Sequence, residues 1–271
     1  MRLIQISDPH IVARDHEAPA RVSGRLDTAA ALERTVARIA DLMGKVGPVE
    51  ALLVTGDVTD DGAPDSYALF REIVAPLGLP LLAIPGNHDA REPMRAAFAD
   101  TGLMPEAGPL DWVHDLPGLR VVGLDTLIEG AGAGALAASS LYFLADALET
   151  APDCPILVAL HHPPFRCGIG YMDAIGLSDA SALAAILRRA ARDVRLVCGH
   201  IHGVQLATIG GCPALSAPAT CSTFDVDFRV DAPAGFHDAP GGFLLHDWES
   251  DFRTVEVSLN PGSGPFPFKP D

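Results

Sequence analysis

The amino-acid sequence predicts an α/β fold. Short apolar runs alternate with helical patterns through most of the chain, which is typical of strands joined by helices. Most of these runs end abruptly in polar residues, and ligands of α/β folds bind beyond the carboxyl ends of the strands. The length of 271 residues, 48% of them hydrophobic, suits one sizeable domain with or without a C-terminal appendage.

The first part of the chain has the predicted order strand, helix, strand, helix, strand. The strands are predicted at residues 3–7, 51–54 and 79–84. The first helix begins at Thr28 after a capping residue, Asp27, and has an apolar stripe from Leu32 to Met43. The second helix begins at Pro64, because proline is favoured at the first helical position. Polar residues 13–25 are predicted to form a loop near the ends of these strands.

The second part continues with shorter elements. Strands are predicted near 112–114 and at 119–124, 156–160 and 194–198, with helices near 94–99 and through 141–148 and 183–190. After Gly203 the helical period disappears, and strands are predicted at 204–209, 214–217, 242–247 and 254–259, before an irregular tail at 260–271. We expect residues 130–138 to form a loop without chemistry and the loop 165–177 to overhang a cleft.

Charge and composition restrict the partners. A net charge of −16 argues against a surface for long nucleic acids, which are bound through clustered Lys and Arg. Bound metal ions can reverse the charge locally, so phosphate chemistry on small molecules is not excluded. No segment reaches about 18 consecutive apolar residues, so no membrane span is predicted. We expect a cytoplasmic protein, because no signal-peptide pattern is present and the five cysteines lack C-x-x-C spacing.

Five predicted strand ends carry residues that can bind metal. These residues are Asp8 and His10, Asp57, Asn87 and His88, His161 and His162, and His200 and His202. A pair of divalent ions needs about eight protein donors, one of them a bridging carboxylate, and Asp57 between turn residues is the natural bridge. Imidazole and carboxylate ligands suit Fe, Mn, Zn or Co, and the absence of thiolate ligands argues against a structural zinc.

The motifs at these strand ends carry a family resemblance. They are Asp8-Pro9-His10, Gly56-Asp57-Val58-Thr59-Asp60, Gly86-Asn87-His88-Asp89, His161-His162-Pro163-Pro164 and Gly199-His200-Ile201-His202. Over roughly residues 1–205 the chain resembles the calcineurin-like metallophosphoesterases, with all five motifs in family order. It is most similar to the bacterial class III cyclic nucleotide phosphodiesterases and the related glycerophosphodiesterases, through His-His-Pro-Pro and the sequence at 168–177.

The resemblance implies a fold and an assembly. The fold is a four-layer αββα sandwich, in which two mixed β-sheets are flanked by helices. Residues 1–205 would form the catalytic core, and residues 206–271 would complete the sandwich and form a cap or dimerisation extension. The implied assembly is a homodimer or a higher homo-oligomer.

The resemblance also implies a role for each motif residue. One ion would be held by Asp8, His10, His202 and the bridging Asp57, and the other by Asp57, Asn87, His161 and His200. His161 is preferred to His162 because the superfamily pattern is His-x-Pro, and His162 would support the centre or line the substrate cleft. His88 would bind the phosphate and help the leaving alkoxide accept a proton. Asp89 would orient His88 or cap the next helix.

The implied function is hydrolysis of small phosphodiesters, either 3',5'-cyclic nucleotides such as cAMP or glycerophosphodiesters. A metal-bound hydroxide would attack phosphorus in line while two divalent ions neutralise the phosphoryl oxygens. A phosphomonoesterase or a pyrophosphate-cleaving enzyme of the same superfamily is the alternative enzyme. A non-catalytic scaffold is the alternative from another class, and it predicts missing ligands, whereas no ligand position is missing here. No Arg or Lys lies within the five motifs, and a singly charged diester does not require one.

The remaining polar residues are expected to be structural. Turn or capping roles are expected for Asp60 and Asp61, and surface or structural roles for His16, His114, His237 and His246. Cys198 is expected to be a buried strand residue rather than a nucleophile. For Phe165, Arg166, Met172 and Asp173, contact with substrate and packing in a lid both stay open.

Overall fold

The structure is a computed structural model that describes residues 1–19, 21–190, 192–239, 241–249, 251–264, 266 and 268. The strands in chain order are β1 (Arg2–Ile6), β2 (Ala51–Thr55), β3 (Leu81–Ile84), β4 (Trp112–Leu116), β5 (Leu119–Leu124), β6 (Ile156–Leu160), β7 (Val194–Cys198), β8 (Leu206–Ile209), β9 (Cys212–Ser216), β10 (Thr223–Phe224), β11 (Phe236–His237), β12 (Gly242–Asp247) and β13 (Arg253–Ser258). The α-helices are α1 (Thr28–Val46), α2 (Pro64–Val74), α3 (Arg91–Ala97), α4 (Ala138–Glu149), α5 (Gly170–Ala174) and α6 (Ala180–Leu187).

Two mixed sheets lie at the centre of the fold. The first sheet has the order β13-β12-β1-β2-β3, in which β1, β2 and β3 are parallel. Strand β12 pairs antiparallel with β1 on one side and with β13 on the other. The second has the order β4-β5-β6-β7-β9-β8, with β5, β6, β7 and β9 parallel. The short strands β10 and β11 form a separate hairpin.

The inner faces of the two sheets pack against each other. Leu3, Leu53 and Leu82 from the first sheet share a buried cluster with Val121 and Leu157 from the second. On the outer faces, α1 and α2 cover the first sheet, and α4 and α6 cover the second. Burial of these apolar side chains is the main stabilising term for such layers. The four-layer αββα arrangement implied by the sequence resemblance is therefore confirmed.

Local sequence explains where the first two helices begin. The side chain of Asp27 accepts a hydrogen bond from the Ala30 amide at 2.9 Å, so Asp27 caps α1 as predicted. Pro64 occupies the start of α2, again as predicted. No helix among the described residues combines the length and the apolar character that a membrane crossing requires.

Two elements were not predicted. The segment 165–177 contains the helix α5, and the hairpin β10–β11 lies in a stretch for which no strand was predicted. The strands after residue 205 divide between the sheets, because β8 and β9 join the second sheet whereas β12 and β13 join the first. Residues 265, 267 and 269–271 of the predicted irregular tail lie outside the described residues.

Candidate active site

The carboxyl ends of five parallel strands meet at one edge of the sandwich. Asp8, Asp57 and Asn87 follow β1, β2 and β3, whereas His161 and His200 follow β6 and β7. Backbone hydrogen bonds join these loops, from the Asp8 amide to the Gly56 carbonyl at 3.1 Å and from the Gly199 amide to the His161 carbonyl at 3.0 Å. The seven predicted metal ligands are thereby brought to one place.

Backbone strain is concentrated at this edge. Among the described residues, the non-glycine residues with positive φ are Asp8 (52°), His10 (49°), Asp57 (47°), His200 (71°) and His202 (50°). A left-handed conformation costs a non-glycine residue about 1–3 kcal/mol, and such residues cluster at functional sites where the surrounding structure holds them. All five are predicted ligands, so the fold is strained where these side chains converge.

One group of potential ligands surrounds Asp8. The Nε2 atoms of His10 and His202 are 3.1 Å apart, and His202 Nε2 lies 3.5 Å from Asp8 Oδ1. Asp57 Oδ2 lies 3.8 Å from His10 Nε2, and all four side chains are buried. The ligand atoms of Asp8, His10 and His202 lie within 4.8 Å of one another, so these three side chains can converge on a single cation, with Asp57 beside them.

A second group lies on the other side of Asp57. His161 Nε2 is 3.4 Å from Asp57 Oδ2 and 3.1 Å from Asn87 Oδ1. The ring of His200 packs against that of His161, with centroids 5.1 Å apart. His200 Nε2 is buried and finds no hydrogen-bond partner in the described part of the chain. A buried nitrogen without a partner requires an explanation, and a bound cation provides one.

The tautomers of two histidines show that the residues fit cations. His161 Nδ1 lies 2.8 Å from the Thr55 carbonyl, which only accepts, so Nδ1 carries a proton and Nε2 is the nitrogen left to bind a cation. His10 Nδ1 donates in the same way to Asp60 Oδ1 at 3.2 Å. Nε2 of His161 therefore faces the oxygen atoms of Asp57 and Asn87, and loss of its proton would present a lone pair to a cation between them. Such clustered acceptors fit a pair of divalent cations.

The charge of the centre also favours cations. Burial, together with repulsion by His161, lowers the pKa of His200 to about 3, so its imidazole is neutral. Burial raises the pKa of Asp8, but attraction to His202 outweighs it and the pKa falls to about 2. Burial lowers the pKa of His161, but attraction to Asp57 outweighs it and the pKa rises to about 9. The carboxylates therefore attract positive charge, and binding of a cation here would release protons.

Asp60 contacts His88 and corrects the sequence assignment. Its Oδ1 lies 2.6 Å from His88 Nδ1, and the same oxygen accepts from His10 Nδ1. The expected turn or capping role is therefore wrong for Asp60, whereas Asp61 does accept from the Ala63 amide at 3.0 Å in a local turn. Since a carboxylate only accepts, Asp60 fixes both histidines with Nδ1 protonated.

Asp89 does not orient His88. Its carboxylate accepts from the amides of Val58, Thr59 and Gly86 and from the Tyr67 hydroxyl, at 2.8–3.1 Å. The next helix, α3, has no side-chain cap. Both roles expected for Asp89 are therefore wrong, and this side chain joins the loops that follow β2 and β3.

His162 engages both ring nitrogens in hydrogen bonds, although one of them lies within 4.8 Å of ligand atoms of His161 and His200. Nε2 lies 3.1 Å from the Gly132 carbonyl and donates to it, so Nδ1 accepts from the Thr126 hydroxyl at 2.8 Å. The ring packs against His200, with centroids 4.6 Å apart. The loop 130–138 was expected to lack chemistry, but Gly132 holds His162 and borders the cleft described next.

A cleft of about 800 Å³ opens above the two groups of ligands. Arg21 and Arg25 line it, and Phe224 stacks on His202 with centroids 4.2 Å apart at an angle of 19°. Met172 from α5 also lines it, whereas Asp173 accepts from the Cys167 amide at 2.7 Å and shapes the loop 165–177. The predicted position of the loop 13–25 near the site was the one sequence feature that indicated Arg21 and Arg25 as cleft residues. No feature of the sequence indicated Phe224.

Comparisons with known proteins agree with this geometry. The model of the family described as Calcineurin-like phosphoesterase matches residues 1–204. A "Probable glycerophosphodiester phosphodiesterase GpdQ" of Arcobacter nitrofigilis is 33% identical, over 99% of this chain and 97% of its own. The "3',5'-cyclic adenosine monophosphate phosphodiesterase CpdA" of Pseudomonas aeruginosa is 38% identical, over 84% of this chain and 80% of its own.

A solved structure supports the fold independently. A dimetal phosphatase from Danio rerio superposes with a TM-score of 0.66 at 14% identity, over 95% of this chain and 96% of its own. At that identity the likeness concerns the fold alone. The match of the family model, the relatives that align along most of their length and the shared fold lead to one conclusion. The chain belongs to the calcineurin-like phosphoesterase family.

Proposed function

We propose that this protein is a metal-dependent phosphodiesterase that hydrolyses small phosphodiesters. The observation that carries the proposal is the convergence of acceptor atoms on the two sides of Asp57, with the buried His200 Nε2 left without a partner among the described residues. Relatives whose names specify cyclic nucleotides or glycerophosphodiesters support a diester substrate.

The seven ligands divide between two cations that share Asp57. Asp8, His10, His202 and Asp57 would hold one, and Asp57, Asn87, His161 and His200 the other. When bound, two divalent cations of Fe, Mn, Zn or Co supply a nucleophile at neutral pH and positive charge for the phosphoryl oxygens. The substrate would lie in the cleft against these ligands, with His88 beside its phosphate.

His88 is the residue that would hold and move a proton. Nδ1 donates to Asp60, so Nε2 is the nitrogen free to act, and it lies 3.9 Å from Asp57 Oδ2. Burial raises the pKa of Asp60, but hydrogen bonds from His10 and His88 outweigh it, so the pKa lies well below its usual range. Asp60 holds the ring through Nδ1, so Nε2 is the atom that would bind a phosphoryl oxygen and pass a proton to the leaving alkoxide.

A substrate panel tests the proposal. Protein reconstituted with Mn²⁺, Fe²⁺, Co²⁺ or Zn²⁺ would be assayed with cAMP, a glycerophosphodiester and a phosphomonoester. We expect turnover of at least one diester and its loss on removal of metal by a chelator. Turnover of the monoester alone would favour the phosphomonoesterase. Absence of bound metal, without rescue by added metal, would favour the scaffold.

The variant Asn87→Ala tests the ligand assignment. We expect it to bind one metal ion fewer per chain and to lose activity by about 10–100-fold or more, because a ligand oxygen is removed from one position. Asn260→Ala, which changes an exposed asparagine in the C-terminal segment, is the matched control. Metal content by elemental analysis and turnover by product release would be measured for both. An Asn87→Ala protein with full metal content and activity would contradict the assignment.

A cytoplasmic location and self-association are also part of the proposal. All five cysteines are free thiols, as expected in a reducing compartment. The edge strand β13 exposes half of Val255, and the segment between β10 and β11 exposes Phe228, so these two apolar surfaces are the candidates for contacts between two copies. Light scattering on the purified chain would measure its mass, and a monomer at all concentrations would contradict self-association.

A further inference from the structure

Two arginines that lie outside the five sequence motifs line the cleft from one turn of the chain. Residues 21–26 form this turn, in which the Arg25 amide donates to the Val22 carbonyl at 3.1 Å. Arg21 and Arg25 are four residues apart, and both border the same cleft as His10 and His88. They are therefore positive charges at the wall of a cleft in a chain whose net charge is −16.

The turn that carries the arginines is anchored on the catalytic groups. The Ser23 amide donates to Asp60 Oδ2 at 3.2 Å, and the other oxygen of Asp60 contacts His88. Val22 is buried and packs with Leu26 against a small cluster that includes Cys221. The position of the arginines is thus tied to that of His88, although the guanidinium groups themselves are exposed.

Arg21 directs a donor at an atom that cannot accept it. Its Nη1 lies 3.0 Å from His88 Nδ1, but that nitrogen already donates its proton to Asp60. In the described part of the chain, neither Arg21 nor Arg25 forms a salt bridge. The guanidinium groups are therefore available to an acceptor that enters the cleft.

The acidic side chains that border the same cleft from the segment between β10 and β11 are already engaged. Asp227 accepts from Arg229 at 2.9 Å, and Asp225 Oδ1 lies 3.5 Å from His237 Nε2. They do not neutralise Arg21 or Arg25. A phosphodiester carries one negative charge at its phosphorus, and under the proposed function the metal ligands and His88 already serve that group. The two arginines are thus additional to what a singly charged diester requires.

We propose that Arg21 and Arg25 bind a second anionic group, a phosphate or a carboxylate, on the part of the substrate that is not cleaved. The inference rests on the proposed function and narrows its substrate class to diesters with a further negative charge. Arginine suits this task because its planar fork binds two oxygens of a phosphate or carboxylate at once. The cleft of about 800 Å³ is large enough for a substrate with such an arm.

Two matched substrates test this inference. They are thymidine 5'-(4-nitrophenyl phosphate) and the same diester with an added 3'-phosphate. In both, attack of water at phosphorus with cleavage of the bond to the aryl oxygen releases 4-nitrophenolate and leaves the thymidine 5'-phosphate. The wild-type protein should favour the 3'-phosphorylated diester in kcat/KM. The substitutions Arg21→Gln and Arg25→Gln should each lower this preference roughly tenfold, mainly through KM, as expected for loss of a charge-assisted hydrogen bond. Arg21→Lys should retain part of it.

Arg14→Gln is the matched control, because Arg14 pairs with Glu33 at 2.9 Å and does not border the cleft. It should keep the wild-type preference, and thermal unfolding would verify that each variant is folded. A preference that stays unchanged in both glutamine variants would overturn the inference. If it stays unchanged because kcat/KM falls equally for both substrates, the arginines act at the cleaved phosphate instead. In those cases diester turnover persists and the proposed function stands. If the wild-type protein hydrolyses neither of these diesters, the inference falls, and the proposed function falls with it only when cAMP and the glycerophosphodiester of the substrate panel are not hydrolysed either.

Discussion

At the residue scale, one carboxylate connects the proposed metal ligands with His88, the proposed proton-transfer group. Asp60 Oδ1 accepts from His10, a predicted ligand, and from His88, whereas Oδ2 accepts from the Ser23 amide. A carboxylate can accept all of these hydrogen bonds, and it fixes the tautomer and orientation of both rings. Asp60 therefore acts on the reaction through other residues rather than by contact with substrate.

The substitution Asp60→Asn tests this positioning role. An asparagine offers one oxygen and an NH₂ group, so it cannot accept from both imidazoles and from the turn that carries Ser23. We expect turnover or metal affinity to fall by about 10–100-fold. The neighbouring Asp61→Asn is the control, since Asp61 accepts from the Ala63 amide and the Ser66 hydroxyl instead. Equal activity of the two variants, measured at equal metal content, would contradict the role.

Short motifs predict the proposed ligands, but they do not predict the contacts between distant loops around them. The convergence of the proposed metal ligands could be predicted because each lies in a short motif directly after an apolar run. Asp60 lies in one of these motifs, but its partner Ser23 is 37 residues away. Arg21 lies in no motif and reaches His88 across 67 residues. Such contacts depend on the folded path of the loops, which local pattern does not contain.

At the element scale, Asp89 joins the loops that follow β2 and β3. It accepts from the amides of Val58 and Thr59 in one loop and of Gly86 in the other. These loops also carry Asp57 and Asn87, so the distance between two ligand positions depends on this buried side chain. Gly86 lies so close to Asp57 that an added Cβ would be 2.1 Å from its Oδ1, which explains the glycine in this motif.

The substitution Asp89→Asn should destabilise the fold. The amide group of asparagine would place donors against the donors of Val58, Thr59 and Gly86, leaving at least one of them buried without an acceptor. We expect a loss of about 1–3 kcal/mol in the free energy of unfolding. Thermal unfolding would measure it as a lower Tm, by roughly 2–4 °C per kcal/mol. Asp65→Asn, at a side chain that is 76% exposed, should leave the Tm nearly unchanged. Equal Tm values for the two variants would contradict the bridging role.

Element length decided which elements could be predicted. The strands of the two sheet centres are continuous apolar runs, and β5, β6 and β7 have the predicted bounds. The helix α5 has five residues and each strand of the β10–β11 hairpin has two, which is too short for a periodic pattern. In the loop that contains α5, Asp173 accepts from the amides of Cys167 and Gly168, which is a tertiary effect of one side chain.

At the scale of the whole molecule, a buried polar network connects the C-terminal strands to the ligand-bearing strands. Gln5 in β1 donates to the Thr55 hydroxyl at 2.9 Å and to the Cys198 carbonyl at 3.2 Å. Its carbonyl oxygen lies 3.0 Å from Nε2 of His246 in β12. Pairing between β1 and β12 joins residues as distant as Arg2 and Asp247. The sequence predicts β12 as a strand, but not its neighbour, because that choice depends on such distant contacts.

The buried His246 should make stability depend on pH. Burial lowers its pKa from 6.5 to about 3, so the folded chain keeps this imidazole neutral where the unfolded chain binds a proton. The unfolded state therefore binds more protons between pH 6.5 and about 3, and the contribution of His246, complete above pH 6.5, is lost as the pH falls. The slope for one such group is up to about 1.4 kcal/mol per pH unit.

Comparison of variants isolates this contribution from that of other histidines. His246→Leu removes the titrating group, so its free energy of unfolding should fall less steeply below pH 6.5 than that of the wild type. It also leaves the Gln5 oxygen without its partner, which costs about 1–3 kcal/mol at every pH and shifts the curve without changing its slope.

Thr254→Val is the control, because it removes a 2.9 Å contact to His246 Nδ1 but keeps the imidazole and hence the steep slope. Urea unfolding of metal-free protein from pH 7.5 to pH 5 would measure all three slopes. Parallel curves for His246→Leu and the wild type would show that His246 does not make stability depend on pH in this range.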